Sequence, residues 1–417
     1  MIVAMKRHHF RVPVCVRTNL SIMSNVLLPT SRLYCLDAIR GLAAVSVVFW
    51  HWQNFFYKGT AAPSIDISNL PLYPIFFIFY ECGYMAVDFF FVLSGFIFFE
   101  FYSSHIAAKR IGLREFFVLR FSRLYPLHIA TLLIVLAEQA YIHYASGAYF
   151  VYANNDFYHF VLNIFLASNW GLQHGYSFNA PIWSVSIEVI LYIQFFVICR
   201  FKMNSVLGLI SMLFIGLIMR SLYAELGRGM VAFFMGGAIS YLYLQMRKSA
   251  HKEVILKSLA YVVSGLVIVV IFEVRLHMIE STARHLLSSM TAISDISRLI
   301  NRTQWLFATV ILFPLFILWF ALLEAENRFN SPPRWLVILG DISYSSYLLH
   351  FPLQLIAVIA IISLGFGQIL FLSPLAIILF LIILLQLSYV SYRSFERPAQ
   401  KWLRHALLTT DTNNKNG

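Results

Sequence analysis

Apolar stretches long enough to cross a bilayer recur along the whole chain, separated by polar or basic segments. A helix needs about 20 residues to cross about 30 Å of hydrocarbon. The pattern predicts spans at residues 33–56, 75–102 and 124–144, and from after Pro181 to Arg200. Further spans follow at 206–222, 230–246, 256–272, 305–323, 335–362 and 369–392. The period-two alternation of a membrane β-barrel is absent. The predicted fold class is therefore all-α, a polytopic integral membrane protein of about ten transmembrane helices. A long loop rich in Tyr, Asn and His follows the third span, and residues 159–170 within it read as an interfacial or partly inserted helix.

Composition agrees with this reading. The 417 residues are 60% hydrophobic and 12% charged, against about 45–50% and about 25% in ordinary globular chains. The net charge of +12 is no signal of nucleic acid, because the basic residues lie at helix ends and in short connections. That placement sets an orientation, since Lys and Arg favour cytoplasmic flanks. The connections after the second, fourth and sixth spans are basic, as is the end of the last span, whereas residues 127–198 contain no Lys or Arg. The expectation is N-in and C-in, with residues 273–302 outside despite their mixture of arginines and acids. Residues 1–31 are basic without a continuous apolar core, so they read as a cytoplasmic extension rather than a signal peptide. Initiation at Met23 would place the first 22 residues outside the natural product. Residues 32–403 form the transmembrane domain and 404–417 a short polar tail. The four cysteines (Cys15, Cys35, Cys82, Cys199) are scattered, with no metal or disulfide spacing.

Candidate chemistry centres on RGLAAVSVVFWH, residues 40–51. Eleven helical steps turn through about 1100° and rise about 16.5 Å, so Arg40 and His51 share one face at two depths. Charge inside a membrane helix costs about 2.5 kcal/mol or more and persists where it has a function. A snorkelling arginine and a capping histidine would give the same spacing. Glu188, in the fourth span, is expected near the depth of His51, where a carboxylate would orient the imidazole and stabilise its protonated form. A structural ion pair between the two helices would look alike. Arg120 and Arg123, in RFSRLYP, share a face and suit phosphate oxygens, or else form an ordinary basic flank. Asp88 lies within a span and needs a partner, for which Arg40 is a candidate. Ser94 and Gly95 allow close approach of a ligand or of another helix. His350 is read as mid-membrane, and Glu396 as paired with nearby arginines. HExxH, CxxC pairs, GxSxG and Walker-type loops are all absent, which argues against a zinc protease, a serine hydrolase of the usual kind and an ATP-driven pump. No metal set is expected.

Six segments, in order, resemble the membrane-bound acyltransferase 3 family: LDAIRGLAAVSVVFWH (36–51), VDFFFVLSGF (87–96), RFSRLYP (120–126), APIWSVSIEVILY (180–192), GDISYSSYLLHFPL (340–353) and FERPAQKW (395–402). The resemblance covers about residues 33–403. It implies a multi-pass inner-membrane enzyme of ten helices, without a bound cofactor. Such an enzyme moves an acyl group, usually acetyl from acetyl-CoA, onto a hydroxyl of a glycan or lipid-linked sugar, such as O-antigen of lipopolysaccharide or exopolysaccharide. By the same resemblance His51 and Glu188 are catalytic and Arg40, Arg120 and Arg123 bind the donor. Asp88, Ser94, Trp183, Ser184 and His350 are assigned supporting places. The basic extension before residue 32 departs from the family core. The competing class is a transporter or flippase of a lipid-linked saccharide, which buried charges and a midplane histidine also suit. Paired broken helices in two similar halves are not evident.

Overall fold

The computed structural model describes residues 33–287, 293–326, 328 and 332–408. The basic extension, Cys15 and residues 409–417 lie outside the described residues. Among those described, the chain is helical, with no strand beyond an isolated bridge between Lys58 and Ala61. The first five helices are α1 (Tyr34–His51), α2 (Tyr73–Cys82), α3 (Ala86–Phe101), α4 (Ser103–Ala107) and α5 (Leu113–Ser146). The central ones are α6 (Phe157–Ile164), α7 (Trp183–Arg200), α8 (Val206–Leu222), α9 (Ala224–Arg247), α10 (Lys252–Leu276), α11 (Met278–Leu287) and α12 (Ile293–Phe307). The last are α13 (Phe313–Ala325), α14 (Arg334–Asp341), α15 (Ser343–Ser363), α16 (Pro374–Ser391) and α17 (Arg397–Leu408).

Among the described residues, eight helical segments are long and apolar enough to cross a membrane. The 18-residue α1, which contains Asp37 and Arg40, and the 17-residue α8 occupy the two other expected positions. Several boundaries differ from the hydropathy pattern for identifiable reasons. Helix α5 starts at Leu113, well before residue 124, because Gly112 caps it and the Glu115 carboxylate accepts from the Gly112 N–H at 3.2 Å. Arg and Glu are good helix formers, so the charged stretch continues the helix instead of ending it. It stops at Gly147, whose φ of 75° is the left-handed conformation that glycine adopts without steric cost. Helix α9 starts at Ala224, which places Arg228 inside the helix rather than before it. The expected ninth span is broken at Ile342 into α14 and α15, and α6 ends at Ile164, short of the expected residue 170.

The centre of the bundle is α3. About 72% of the apolar window running through α2 and α3 is buried, against 11% for α10, which faces outward. Helix α9 packs backbone to backbone on α3 because a glycine on each helix faces the backbone of the other: a Cβ at Gly95 would overlap the Phe233 carbonyl, and one at Gly236 the Val92 carbonyl. Small residues bring membrane helices together in this way. Gly236→Leu is therefore expected to force α3 and α9 apart. Overpacking typically costs about 1–3 kcal/mol, here against backbone that cannot rotate away. Thermal unfolding in detergent checks this, and an unchanged midpoint would contradict the packing.

Candidate functional site

Helices α1, α3, α5, α7 and α15 enclose an open cavity of about 840 Å³. Its polar wall is built mostly from arginines and hydroxyls. Helix α1 contributes Arg40, which pairs with Asp37 one turn earlier at 2.9 Å. Arg40 also donates to the Gly340 carbonyl at 2.7 Å and to the Ser343 hydroxyl at 3.0 Å. These bonds tie α1 to the junction of α14 and α15 and fix the guanidinium.

Helix α5 contributes Arg120 and Arg123 to the same wall. Arg120 donates to the Tyr102 hydroxyl at 2.5 Å and stacks on the rings of Phe98 and Tyr102, 4.8 and 4.7 Å from their centroids. Its Nε is buried without a hydrogen-bond partner among the described residues. Arg123 is exposed to the cavity and makes no hydrogen bond to another described residue. Three residues later Pro126 stands inside the helix. Lacking an N–H, it cannot donate to the Ser122 carbonyl.

Helix α7 contributes Ser184 and Glu188. The Glu188 carboxylate accepts from the Ser94 hydroxyl of α3 at 3.0 Å and from the Tyr192 hydroxyl at 2.6 Å. Ser94 thus touches Glu188 directly, while the adjacent Gly95 serves helix packing. Ser184 lies 2.8 Å from the Tyr347 hydroxyl, which itself donates to the Pro181 carbonyl at 2.6 Å. Trp183, one residue earlier, stacks under Arg228 at 5.5 Å and lines a second, smaller hollow with Tyr176 and Ser177.

His51 does not join this wall. It is the last residue of α1, and its Nδ1 lies 2.9 Å from the Val47 carbonyl. A carbonyl only accepts, so Nδ1 carries the proton and Nε2 keeps its lone pair. The ring stands beside His350, with centroids 4.9 Å apart. His350 is held likewise, its Nδ1 2.6 Å from the Tyr347 carbonyl and its Nε2 buried without a partner among the described residues. The Tyr347 ring, which lines the cavity, is 6.0 Å from that of His350. His51 and His350 thus form a pair of imidazoles just beyond Tyr347. Gln354 fixes the approach by donating to the His51 carbonyl at 2.8 Å.

Three sequence-derived pairings differ. Hydrogen bonds from Ser94 and Tyr192 occupy Glu188, and the Val47 carbonyl, not Glu188, orients the His51 ring. Asp88 pairs with Arg228 rather than Arg40: Nε and one terminal nitrogen of Arg228 reach its two oxygens at 2.7 and 2.6 Å. The Trp305 indole donates to the same carboxylate at 2.9 Å. Glu396 accepts from the hydroxyls of Ser345 and Ser391 instead of pairing with an arginine. Hydropathy leaves Arg228 on a flank, before the expected span at 230–246, although a buried acid calls for a buried cation. Among the described residues, no three His, Cys, Asp or Glu side chains group as a metal site.

No solved structure matches the chain. A protein from Rhizobium radiobacter, "Protein 2 in picA locus", is 33% identical over 109 residues, covering 26% of this chain and 47% of that protein. The match thus spans about half the length of that relative. The family match is far more extensive, because residues 33–393 align with the acyltransferase domain family, from just before α1 to the end of α16. With its apolar helices and this match over most of its length, the chain is a multi-pass membrane protein of the acyltransferase 3 family.

Proposed function

We propose that this protein is an inner-membrane O-acyltransferase, moving an acetyl group from cytoplasmic acetyl-CoA to a hydroxyl of a surface carbohydrate on the outer side. The observation that carries this reading is the arrangement of Arg40, Arg120 and Arg123 around one cavity, with a neutral imidazole of fixed tautomer beyond its Tyr347 wall. Guanidinium forks match phosphate oxygens, and no hydrogen bond to another described residue occupies the Arg123 donors. The charge bias along the sequence supports N-in and C-in, which puts the arginines on the cytoplasmic side.

In the mechanism, the CoA phosphates rest on Arg120 and Arg123 and the pantetheine arm extends through the cavity past Arg40 towards Tyr347. His51 Nε2 removes the proton of the acceptor hydroxyl as its oxygen attacks the thioester carbonyl. The new C–O bond forms, the C–S bond breaks, and the imidazolium returns the proton to the departing thiolate. The Val47 carbonyl steadies the ring by holding Nδ1–H. Glu188 is assigned to the cavity instead, where with Ser94 and Tyr192 it lines the path of the arm. The outer loop carrying Tyr152 and Tyr176, together with Trp183 at the start of α7, supplies aromatic faces for a sugar.

Arg123→Ala is expected to raise the KM for acetyl-CoA about ten- to a hundredfold, as suits one charged hydrogen bond of about 1.5–3 kcal/mol, with a smaller change in kcat. Arg123→Lys should recover part of the loss. Initial rates against donor concentration, in membranes carrying equal amounts of each variant, test this. An unchanged KM would remove Arg123 from donor binding.

A further inference from the structure

The amphipathic helix α17 lays another guanidinium beside the two arginines of α5. Arg404 donates from Nε to the Ser122 hydroxyl at 3.2 Å, and a terminal nitrogen approaches the Leu119 carbonyl at 3.5 Å. Ser122 is buried and lies between Arg120 and Arg123 in sequence, so Arg404 is fixed against the turn that carries both. Its main electrostatic neighbours are Arg120, Tyr102 and Arg123, two of them cations. Its other terminal nitrogen makes no hydrogen bond to a described residue.

Cations gathered at short range repel one another unless an anion joins them. Docking α17 on α5 would not by itself need a charge here, because a neutral donor could satisfy both Ser122 and Leu119. Arg120 and Arg123 line the cavity and Arg404 stands outside its wall. A ligand whose arm lies in the cavity would therefore bring a second, more peripheral anionic group to Arg404. On the reading that the donor is an acyl-CoA, that group is the phosphate monoester on the ribose. We propose that Arg404 recognises the 3′-phosphate of the donor, while Arg120 and Arg123 hold the diphosphate. Helix α17 is then the element that selects a phosphorylated adenosine.

The test is binding of acetyl-CoA and of 3′-dephospho-acetyl-CoA to the full-length protein in detergent, measured by titration calorimetry. The wild type should prefer acetyl-CoA by about tenfold or more, as expected for a charged hydrogen bond. Arg404→Ala should bind the two alike, with affinity for the dephospho form unchanged. Arg404→Gln, which keeps a donor for Ser122 and so preserves the docking of α17, should also lose the preference, and Arg404→Lys should restore part of it. Equal binding of both ligands by the wild type, or an undiminished preference in Arg404→Gln, would overturn the assignment while leaving acyl-CoA as donor. Equal weakening of both ligands in Arg404→Gln would reduce Arg404 to a structural role and also overturn it. Binding of neither ligand by the wild type would overturn the acyl-CoA reading itself, and this inference with it.

Discussion

His51→Ala is expected to lower acyl transfer by about 10²- to 10⁴-fold, the usual contribution of a positioned general base, with protein level and donor affinity little changed. In the proposed mechanism the donor rests on arginines of α5, and His51 is not among the residues lining their cavity. The loss should therefore appear in kcat. His51→Gln should behave like alanine, because an amide keeps a donor for the Val47 carbonyl but supplies no basic nitrogen. A variant transferring acetyl at the wild-type rate would remove His51 from the chemistry.

The second large effect falls on the fold. Asp88 is fully buried, and it balances the Arg228 guanidinium between α3 and α9. Asp88→Ala would leave that cation in the bundle without its counter-charge, and breaking a buried pair in this way costs about 3–5 kcal/mol. The variant should accumulate poorly and unfold at lower temperature. Asp88→Leu combined with Arg228→Met removes both charges and should recover much of the loss, so that the two changes are strongly non-additive. Thermal unfolding of the two single variants and the double variant measures this. Additive losses would show that the pair contributes no coupling.

The helices were legible in the sequence because hydrocarbon thickness imposes one length and one composition on every span. Their ends were less so. The start of α5 depends on a glycine cap and one carboxylate, Glu115, which hydropathy does not register. Placing that start at Leu113 brings Arg120 and Arg123 within a helix, where Arg120 can stack on Phe98 and Tyr102. Arg40, Arg120, Arg123, Ser94, Ser184 and Glu188 each stand in a motif visible in the sequence and line one cavity, although the sequence expectation sets Glu188 beside His51. Their partners were not visible there. Asp88 and Arg228 are 140 residues apart, and no local pattern links them. The same holds for Arg40 with Ser343 and for Arg404 with Ser122. The tautomer of His51 was hidden for a different reason. It depends on the side chain turning back to the carbonyl four residues earlier, a geometry that any residue type at position 47 would offer.

Transfer itself tests the central claim most directly. Membranes containing the wild-type protein are supplied with acetyl-CoA labelled in the acetyl group, together with native surface glycans, and the glycan fraction is followed with time. The account predicts ester-linked label in glycan that requires the protein and is released by mild base. Glycan that stays unlabelled with acetyl-CoA and with longer acyl donors, while the same membranes move a lipid-linked saccharide across the bilayer, would contradict it and identify a transporter.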